Sequence, residues 1–230
     1  VKILARTMAF GFYDHGLVAL CERLSDHLPL LQRSGPRQRL WKVRCRRAIL
    51  ATGAFERPIA FSGNDIPGVM LASAAQTYAL RYGVVPGKRI VVAADNDSGY
   101  DAAFALQDAG AAIVAIVDTR PETPMAAKAA SRSIRVILSS APVAARGGRR
   151  VKSLSIGDPA GGPARETLQC DTILTAGGWN PAVHLHSQSG GSLAFGEALQ
   201  AFLPSRSVQE APCVGAAGGG FGTGAGTSGP

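Results

Sequence analysis

The stretch KRIVVAADNDSGYDAAFALQDAGAAIVAIVD, residues 88–118, decides the fold class. Its first part, Lys88–Ala94, is an apolar run typical of a buried strand. Ser98–Ala109 then carries alanine and leucine at helical spacing, Gly110 ends that pattern, and Ala112–Val117 is a second apolar run. A strand, a helix and a strand within about 30 residues predict a βαβ unit with parallel strands, and therefore an α/β fold.

The turn between this strand and this helix is where a Rossmann domain holds a dinucleotide. Such domains carry Gly-x-Gly-x-x-Gly there, whereas this chain has DNDSGY over 95–100 and keeps only Gly99. Two carboxylates in the turn would repel phosphate at the helix N-terminus. Asp118, after the second strand, is placed to bind a ribose, but the lost glycines weigh against that role. We expect a Rossmann shape without its ligand.

Two flanking segments carry small residues at predicted strand ends. Leu50 is followed by Ala51-Thr52-Gly53, and the predicted strand Cys213–Ala217 has the sequence CVGAA, followed by further glycines. An ATG strand, a βαβ unit and a return strand are the order found in flavoproteins with two dinucleotide-binding domains, the second inserted into the first. The candidate cofactor-binding residues are Ala51, Thr52, Gly53, Gly215 and Gly218. An ATG at a strand end is equally consistent with simple packing of small residues.

This order predicts an FAD/NAD(P)-binding Rossmann-like fold with an inserted second nucleotide-binding-like domain. Because Val1 already lies in a predicted strand, we expect the first βαβ half to be missing. The predicted parts are the remainder of the first domain with a connecting segment (1–83), the inserted domain (84–165), the return to the first domain (166–218), and a glycine-rich tail (219–230), expected to be disordered.

Other elements follow from periodicity and turn residues. The predicted strands and strand-like segments are Val1–Phe10, Leu17–Leu24 (a short amphipathic segment), Leu40–Thr52, Ile134–Leu138, an antiparallel pair at Lys152–Ile156 and Thr167–Gln169, and a buried strand in Cys170–Gly178. A helix is predicted from Ser73, as its cap, to Tyr82, where Gly83 ends it, and a short one at Ala126–Ala130.

Charge and cysteine usage exclude several classes of function. The net charge is +8, but only 6% of residues are aromatic, and the basic residues from Arg33 to Arg47 alternate with apolar ones as on a solvated strand face. We expect no nucleic-acid partner; an acidic partner subunit is the better alternative. Four scattered cysteines without CxxC predict buried, reduced thiols. No signal peptide or membrane span is recognisable, so a cytoplasmic protein without a membrane partner is expected.

Two histidine motifs are the remaining candidates for chemistry. His184 and His186 would share a face of a strand, but no carboxylate or cysteine stands at metal-ligand spacing, so hydrogen-bonded loop histidines are the favoured interpretation. Asp14 and His15 lack a nearby nucleophile. We assign no catalytic residue and no metal ligand.

Two longer strings resemble a known family. LATGAFERPIAFSGNDIPGVMLASAAQTYALRYGVVPGKRIVVAADNDSGY, residues 50–100, and AGGWNPAVHLHSQSGG, residues 176–191, closely resemble the alpha subunit of heterotetrameric sarcosine oxidases. The similarity extends from about Phe10 to about Gly218 and includes the family's degenerate N-D-S turn. NDxPGVMLASA and GGWxPxVHLxSQSGG are specific to it, whereas ATG alone is not.

The resemblance implies a function that the spacing of residues does not. In that family the alpha subunit binds NAD noncovalently and carries a C-terminal folate-binding domain, while FAD, FMN and the amine-oxidising chemistry belong to the flavin-bearing beta subunit with its interfaces. Sarcosine is demethylated to glycine, oxygen becomes hydrogen peroxide, and the one-carbon unit passes to tetrahydrofolate. The partners implied are the beta subunit together with the other subunits of the complex. The isolated chain is expected to be inactive.

Two alternatives to a sarcosine oxidase alpha subunit stay open, and a third is disfavoured. An alpha-type subunit of an opine or amino-acid dehydrogenase shares the layout, and the string HLHSQSGG favours sarcosine oxidase over it. A non-catalytic fragment that only docks on other subunits is the rival from another class. A disulfide reductase is disfavoured because no CxxC is present to exchange electrons with a flavin.

Overall fold

The structure is a computed structural model that describes residues 1–221. The chain divides into two compact units: Glu56–Trp179, here the central unit, and Val1–Phe55 with Asn180–Pro230, here the split unit. Of the tail predicted to be disordered, residues 222–230 lie outside the described part. The domain boundaries given above stay predictions.

The elements of both units are numbered in chain order. The strands are β1 (Thr7–Tyr13), β2 (Leu17–Arg23), β3 (Gln38–Arg44), β4 (Ala54–Glu56), β5 (Val69–Leu71), β6 (Arg89–Ala94), β7 (Ala112–Asp118), β8 (Val136–Ile137), β9 (Ala141–Gly147), β10 (Val151–Gly157), β11 (Ala164–Gln169), β12 (Thr172–Ala176), β13 (Trp179–Pro181), β14 (Leu193–Gly196) and β15 (Ala201–Pro204). The helices are α1 (Ala72–Tyr82), α2 (Ser98–Asp108), α3 (Pro124–Ser131) and α4 (His184–Gln188), with 3-10 turns at Leu30–Gln32 and Gly215–Gly218.

The central unit is built on a five-stranded parallel sheet in the order β5-β12-β6-β7-β8. The predicted βαβ unit is β6-α2-β7, so the α/β, Rossmann-like fold class is confirmed. Every residue from Ile90 to Ala94 is buried because both faces of the sheet are covered. Ile90 and Val92 pack into a core cluster with the helices, and Val91 packs into a second cluster with the antiparallel strands β9, β10 and β11.

Several predicted elements of the central unit are confirmed and two are corrected. β10 and β11 pair antiparallel, β12 is the predicted buried strand, and Gly83 ends α1 in the left-handed conformation at φ 64°. Ser73 is not the cap of α1: the helix begins at Ala72 after Leu71, without a side-chain cap. The strand predicted over Ile134–Leu138 is only the two residues of β8.

The split unit is an antiparallel meander, β1-β2-β3, together with a short helix and the β14-β15 hairpin. β1 starts six residues later than the predicted strand. The β region predicted over Leu40–Thr52 is wrong beyond Arg44, since only Leu50 makes a strand-like bridge there. The return strand predicted at Cys213–Ala217 is confirmed only at Cys213, which forms a parallel bridge with Leu50, and is wrong beyond it. Gly215 adopts φ 62°, which no strand allows, and a 3-10 turn forms instead.

Candidate nucleotide site

The structure brings together the two segments that carry the predicted cofactor residues. Leu50 and Cys213 form a parallel bridge in the split unit. The Leu50 amide donates to the Pro212 carbonyl at 2.9 Å, and the Val214 amide donates to the Leu50 carbonyl at 3.0 Å. Ala51 therefore follows the bridge on one segment, and Val214 and Gly215 follow it on the other.

Gly53 and Gly215 leave open space beside the backbone. Both have positive φ, 76° and 62°, and no described atom lies within 4 Å of the place a β-carbon would take. Glycine adopts this conformation without the steric cost that an L side chain incurs. Gly218 differs, because a β-carbon there would lie 2.9 Å from the Cys213 carbonyl oxygen. Gly218 is therefore required by packing within its own turn.

Thr52 ties the first segment to the start of helix α4. Its hydroxyl donates to the Ala182 carbonyl at 2.6 Å, and the Ala182 amide donates to the Gly53 carbonyl at 2.9 Å. The hydroxyl is thus engaged by the protein, while the side chain lines an open cleft.

That cleft lies wholly within the split unit and has a volume of about 630 Å³. Its walls are mostly apolar and include no lysine, arginine or carboxylate side chain: Met8, Ala9, Phe10, Thr52, Phe55, Ala182, His184, Leu185 and Gln188. The rings of Phe55 and His184 lie 5.8 Å apart and tilted by 38°. Phe55 is 59% exposed, so its ring is accessible to a molecule in the cleft.

Gln188 fixes one wall of the cleft to the meander. Its side-chain oxygen accepts a hydrogen bond from the Phe12 amide at 2.9 Å. Phe12 is buried against Leu50, and Leu185 packs on the same small cluster. The cleft is therefore held by the same core that positions Leu50, and through it the Ala51–Gly53 segment.

Of the cleft residues, the sequence indicated only Thr52 as a cofactor residue, and His184 was considered only as a possible metal ligand. Met8 to Phe10, Phe55 and the α4 residues come from three distant parts of the chain, and no local pattern joins them. Phe55, an aromatic residue two positions after the ATG, was the one available signal.

The two histidines of the GGWNPAVHLHSQSGG string have different surroundings. His186 is buried, with its Nε2 3.0 Å from the Ser192 carbonyl oxygen, so its prediction as a hydrogen-bonded histidine is confirmed. His186 lies in helix α4, however, and not in a loop. His184 lies in the same helix and faces Phe55. Within residues 1–221, no group of three or more histidine, cysteine or carboxylate side chains is arranged to hold a metal ion.

In the central unit, the turn that replaces the glycine loop is stabilised by its own side chains. The Asn96 side-chain oxygen accepts a hydrogen bond from the Ser98 amide at 3.0 Å, at the start of α2. A β-carbon on Gly99 would lie 2.7 Å from that of Ala94, so this glycine allows close packing of helix on strand. The turn thus keeps the glycine that serves packing and replaces the two others.

Asp118 is fully buried and surrounded by donors from its own unit. Its carboxylate accepts from the Tyr100 hydroxyl at 2.8 Å and from the Arg120 guanidinium at 2.8 Å, and Arg120 also reaches Asp97 at 2.8 Å. Burial raises the pKa of Tyr100, and the hydrogen bond to Asp118 raises the pKa of Arg120, so both keep their protons at neutral pH. The carboxylate that could bind a ribose is therefore already satisfied by protein groups.

Comparison with known proteins shows what the chain is similar to. No family model matches the chain. It is 36% identical over 217 residues to the alpha subunit of the sarcosine oxidase of Rhizobium meliloti (strain 1021), covering 94% of this chain and 21% of that protein. It is 38% identical over 229 residues to that of Corynebacterium sp. (strain P-1), covering 96% and 23%. One of the subunits of the opine oxidase of Agrobacterium tumefaciens (strain Ach5) is 27% identical over 183 residues, covering 70% and 36%.

Solved structures share the fold at low sequence identity. The L-proline dehydrogenase of P. horikoshii is 20% identical with a TM-score of 0.61, covering 92% of this chain and 36% of that one. A NAD-dependent persulfide reductase of A. fulgidus is 16% identical with a TM-score of 0.63, covering 94% and 39%. No helix within residues 1–221 is long and apolar enough to span a membrane. The resemblance seen in the sequence is confirmed: the chain is homologous to sarcosine oxidase alpha subunits and spans 21–23% of their length.

Proposed function

We propose that the split unit forms part of the noncovalent NAD site of a sarcosine oxidase alpha-type subunit. The observation that carries this proposal is the bridge between Leu50 and Cys213, which precedes Ala51–Gly53 on one segment and Gly215 on the other, together with the aromatic-walled cleft that Thr52 lines. Small-molecule sites are typically pockets of about 300–1,000 Å³ with apolar walls and few polar groups. The volume of this cleft lies within that range.

The lining residues suit the uncharged part of a dinucleotide. Phe55 and His184 offer ring faces on which a planar heterocycle could stack. The open backbone at Gly53 and Gly215 suits the close approach of a bound nucleotide. The lining of the cleft contains neither a lysine or arginine nor a glycine loop, so in this proposal the pyrophosphate lies outside it. NAD is a hydride carrier; in this proposal the chain's residues bind and orient it and carry out no bond-making step.

The chemistry of the whole enzyme is proposed to lie outside this chain. By relation to the alpha subunits, oxidative demethylation of sarcosine to glycine would take place on the FAD and FMN of a partner beta subunit. We assign the chain no catalytic residue and expect it to be inactive when isolated. Its role is to hold NAD and to bind the other subunits.

The test is to purify the chain, denature it, and identify any released nucleotide by absorbance and mass. The matched variants are Phe55→Ala, in the cleft, and Phe195→Ala, whose side chain is also exposed in the split unit but lies in the β14-β15 hairpin. We expect NAD, with affinity reduced about tenfold by Phe55→Ala, since stacking on one ring is worth about 1–3 kcal/mol. Phe195→Ala should bind as the parent does.

Other outcomes would change the proposal in defined ways. Release of FAD would indicate a flavin site and contradict the NAD assignment. A folded sample without nucleotide, and without affinity for added NAD, would leave only the docking role and would remove Ala51, Thr52, Gly53, Gly215 and Gly218 as cofactor residues.

A second candidate is the equivalent subunit of an opine oxidase, favoured by the 27% identity over 183 residues. The two differ in the amine that the assembled complex oxidises. Co-purified complex should form glycine and hydrogen peroxide from sarcosine; turnover of an opine and not of sarcosine would decide for the second candidate.

A further inference from the structure

A second cavity of the split unit has a different chemical character from the nucleotide cleft. It encloses about 190 Å³, and its lining includes His15, Gly16, Cys45, Arg46, Arg47 and Glu210. Cys45 is partly buried, with its thiol donating to the Gly16 carbonyl at 3.4 Å. A thiol hydrogen bond is weak, so it holds the sulfur at the cavity wall without preventing its reaction.

Arginine residues line the cavity that contains this thiol. Arg46 and Arg47 follow Cys45 directly and line the same cavity. Arg44, which precedes it, donates to the His15 carbonyl at 3.1 Å. The one carboxylate in the lining, Glu210, pairs with Arg47 at 3.1 Å, and both side chains of that pair are about 70% exposed. The balance at the cavity is therefore positive, and it favours small anions over neutral or cationic molecules.

The other three cysteines do not combine partial exposure with arginines next to them in sequence. Cys170 is buried, and burial raises its pKa to about 11. Burial also raises the pKa of Cys213. Cys21 is partly buried like Cys45, but it lies between Met8 and Leu40 on the neighbouring strands and is followed by Glu22. Cys21 is therefore the internal control, a partly buried thiol whose neighbours in sequence are Leu20 and Glu22 and not arginines.

We propose that this cavity admits the reacting end of anionic disulfides of the glutathione type, and that Cys45 is the thiol they modify. The Cys45 sulfur, as a thiolate, attacks one sulfur of the disulfide. A new sulfur–sulfur bond forms to Cys45, the bond within the reagent breaks, and the electron pair leaves with the second half as a free thiolate. The proton of Cys45 passes to solvent. The disulfide itself is the oxidant, since it is reduced to the leaving thiolate, so no other oxidant is needed.

The test compares two aromatic disulfides that differ in charge, with modified cysteines located by peptide mass mapping. The anionic probe is 5,5′-dithiobis(2-nitrobenzoate) and the neutral probe is 2,2′-dithiodipyridine. The ratio of their rates at one cysteine cancels differences in exposure and intrinsic reactivity. At low salt we expect this ratio to be about tenfold higher at Cys45 than at Cys21, the lower end of electrostatic rate effects. The excess should fall as added salt screens the arginines.

Charge variants at exposed positions test whether the sign of the local charge controls the ratio of the two rates at Cys45. Arg46→Gln with Arg47→Gln should lower the ratio at Cys45 to that of Cys21, whereas Glu210→Gln should raise it. Circular dichroism of each variant checks that the fold is kept, and oxidised glutathione should then give a mixed disulfide at Cys45 in the parent chain. Equal ratios at Cys45 and Cys21, no labelling of native Cys45 by either probe, or ratios unchanged by the arginine variants would each overturn the proposal.

Discussion

The central and split units differ in how completely they bury their apolar side chains. Twenty large hydrophobic side chains are exposed among residues 1–221, and only four of them, Tyr78, Leu80, Tyr82 and Val84, belong to the central unit. The central unit has two extended core clusters, whereas the cluster of the split unit has three buried members, Phe12, Leu50 and Ala211. The two units therefore derive their stability from different amounts of apolar burial.

The difference indicates what each unit is for. The central unit contains a sheet that is covered on both faces and a polar network in which Tyr100 and Arg120 both donate hydrogen bonds to Asp118. Both are features of a scaffold. The split unit leaves apolar side chains and an aromatic-walled cleft open to solvent, and patches of this kind mark sites for ligands or other polypeptides. The variants below test whether the contrast between the units is real, in order of decreasing effect.

The largest expected effect comes from the core of the central unit. Leu106, on α2, is fully buried, whereas Leu80, on α1, is 69% exposed. Leu106→Ala should lower the free energy of unfolding by about 2–5 kcal/mol because it removes buried apolar surface and leaves a cavity. Leu80→Ala should change it by less than about 0.5 kcal/mol. Urea unfolding followed by Trp179 fluorescence, in a Trp41→Phe background, measures both; similar losses would mean that the core is not packed as described.

The polar network of the central unit should give the next largest effect. Asp118→Ala leaves the Arg120 guanidinium and the Tyr100 hydroxyl without their buried acceptor. We expect a loss of about 2–3 kcal/mol, less than for a fully buried ion pair because Arg120 is 30% exposed and keeps Asp97. Tyr100→Phe removes one hydrogen bond and should cost about 1 kcal/mol. If the two variants lower the free energy of urea unfolding by the same amount, the carboxylate does not organise the network.

The same contrast explains which parts of the molecule could be predicted. The βαβ unit of residues 88–118 was predictable because each of its elements is buried and its periodicity is local. The start of β1 and the 3-10 turn at Gly215–Gly218 were not, because the meander is half exposed and the conformation of a glycine-rich segment depends on tertiary contacts. The ATG segment indicated one edge of the candidate site. The cleft beside it depends on packing between segments more than a hundred residues apart, for which a single sequence holds no signal.

A matched pair of glycines separates folding from binding. Gly53, in the split unit, and Gly83, in the central unit, have φ of 76° and 64°, and neither has a described atom within 4 Å of a β-carbon position. Gly53→Ala and Gly83→Ala should each cost about 1–2 kcal/mol of stability from the left-handed conformation alone. Only Gly53→Ala should also weaken NAD binding, measured by titration of the folded variants. Equal NAD affinity in both would remove Gly53 from the proposed site.

The smallest expected effect concerns pH, at Glu56, the one buried glutamate among residues 1–221. Glu56 is 8% exposed; one of its oxygens accepts from the Ser73 amide at 2.8 Å, and the other has no hydrogen-bond partner among the described residues.

Burial raises the pKa of Glu56 above its ordinary value of 4.5, so the folded chain holds this proton more tightly than the unfolded chain. That contribution to stability is present below the unfolded pKa and is lost as pH rises through the folded pKa. Glu56→Gln cannot lose a proton, so its free energy of unfolding, relative to the parent, should increase as pH rises from 4.5 toward neutrality. Glu210→Gln, at a carboxylate that is 71% exposed, controls for the loss of one negative charge. A Glu56→Gln difference that stays constant across urea denaturations at several pH values would show that burial does not govern the protonation of Glu56.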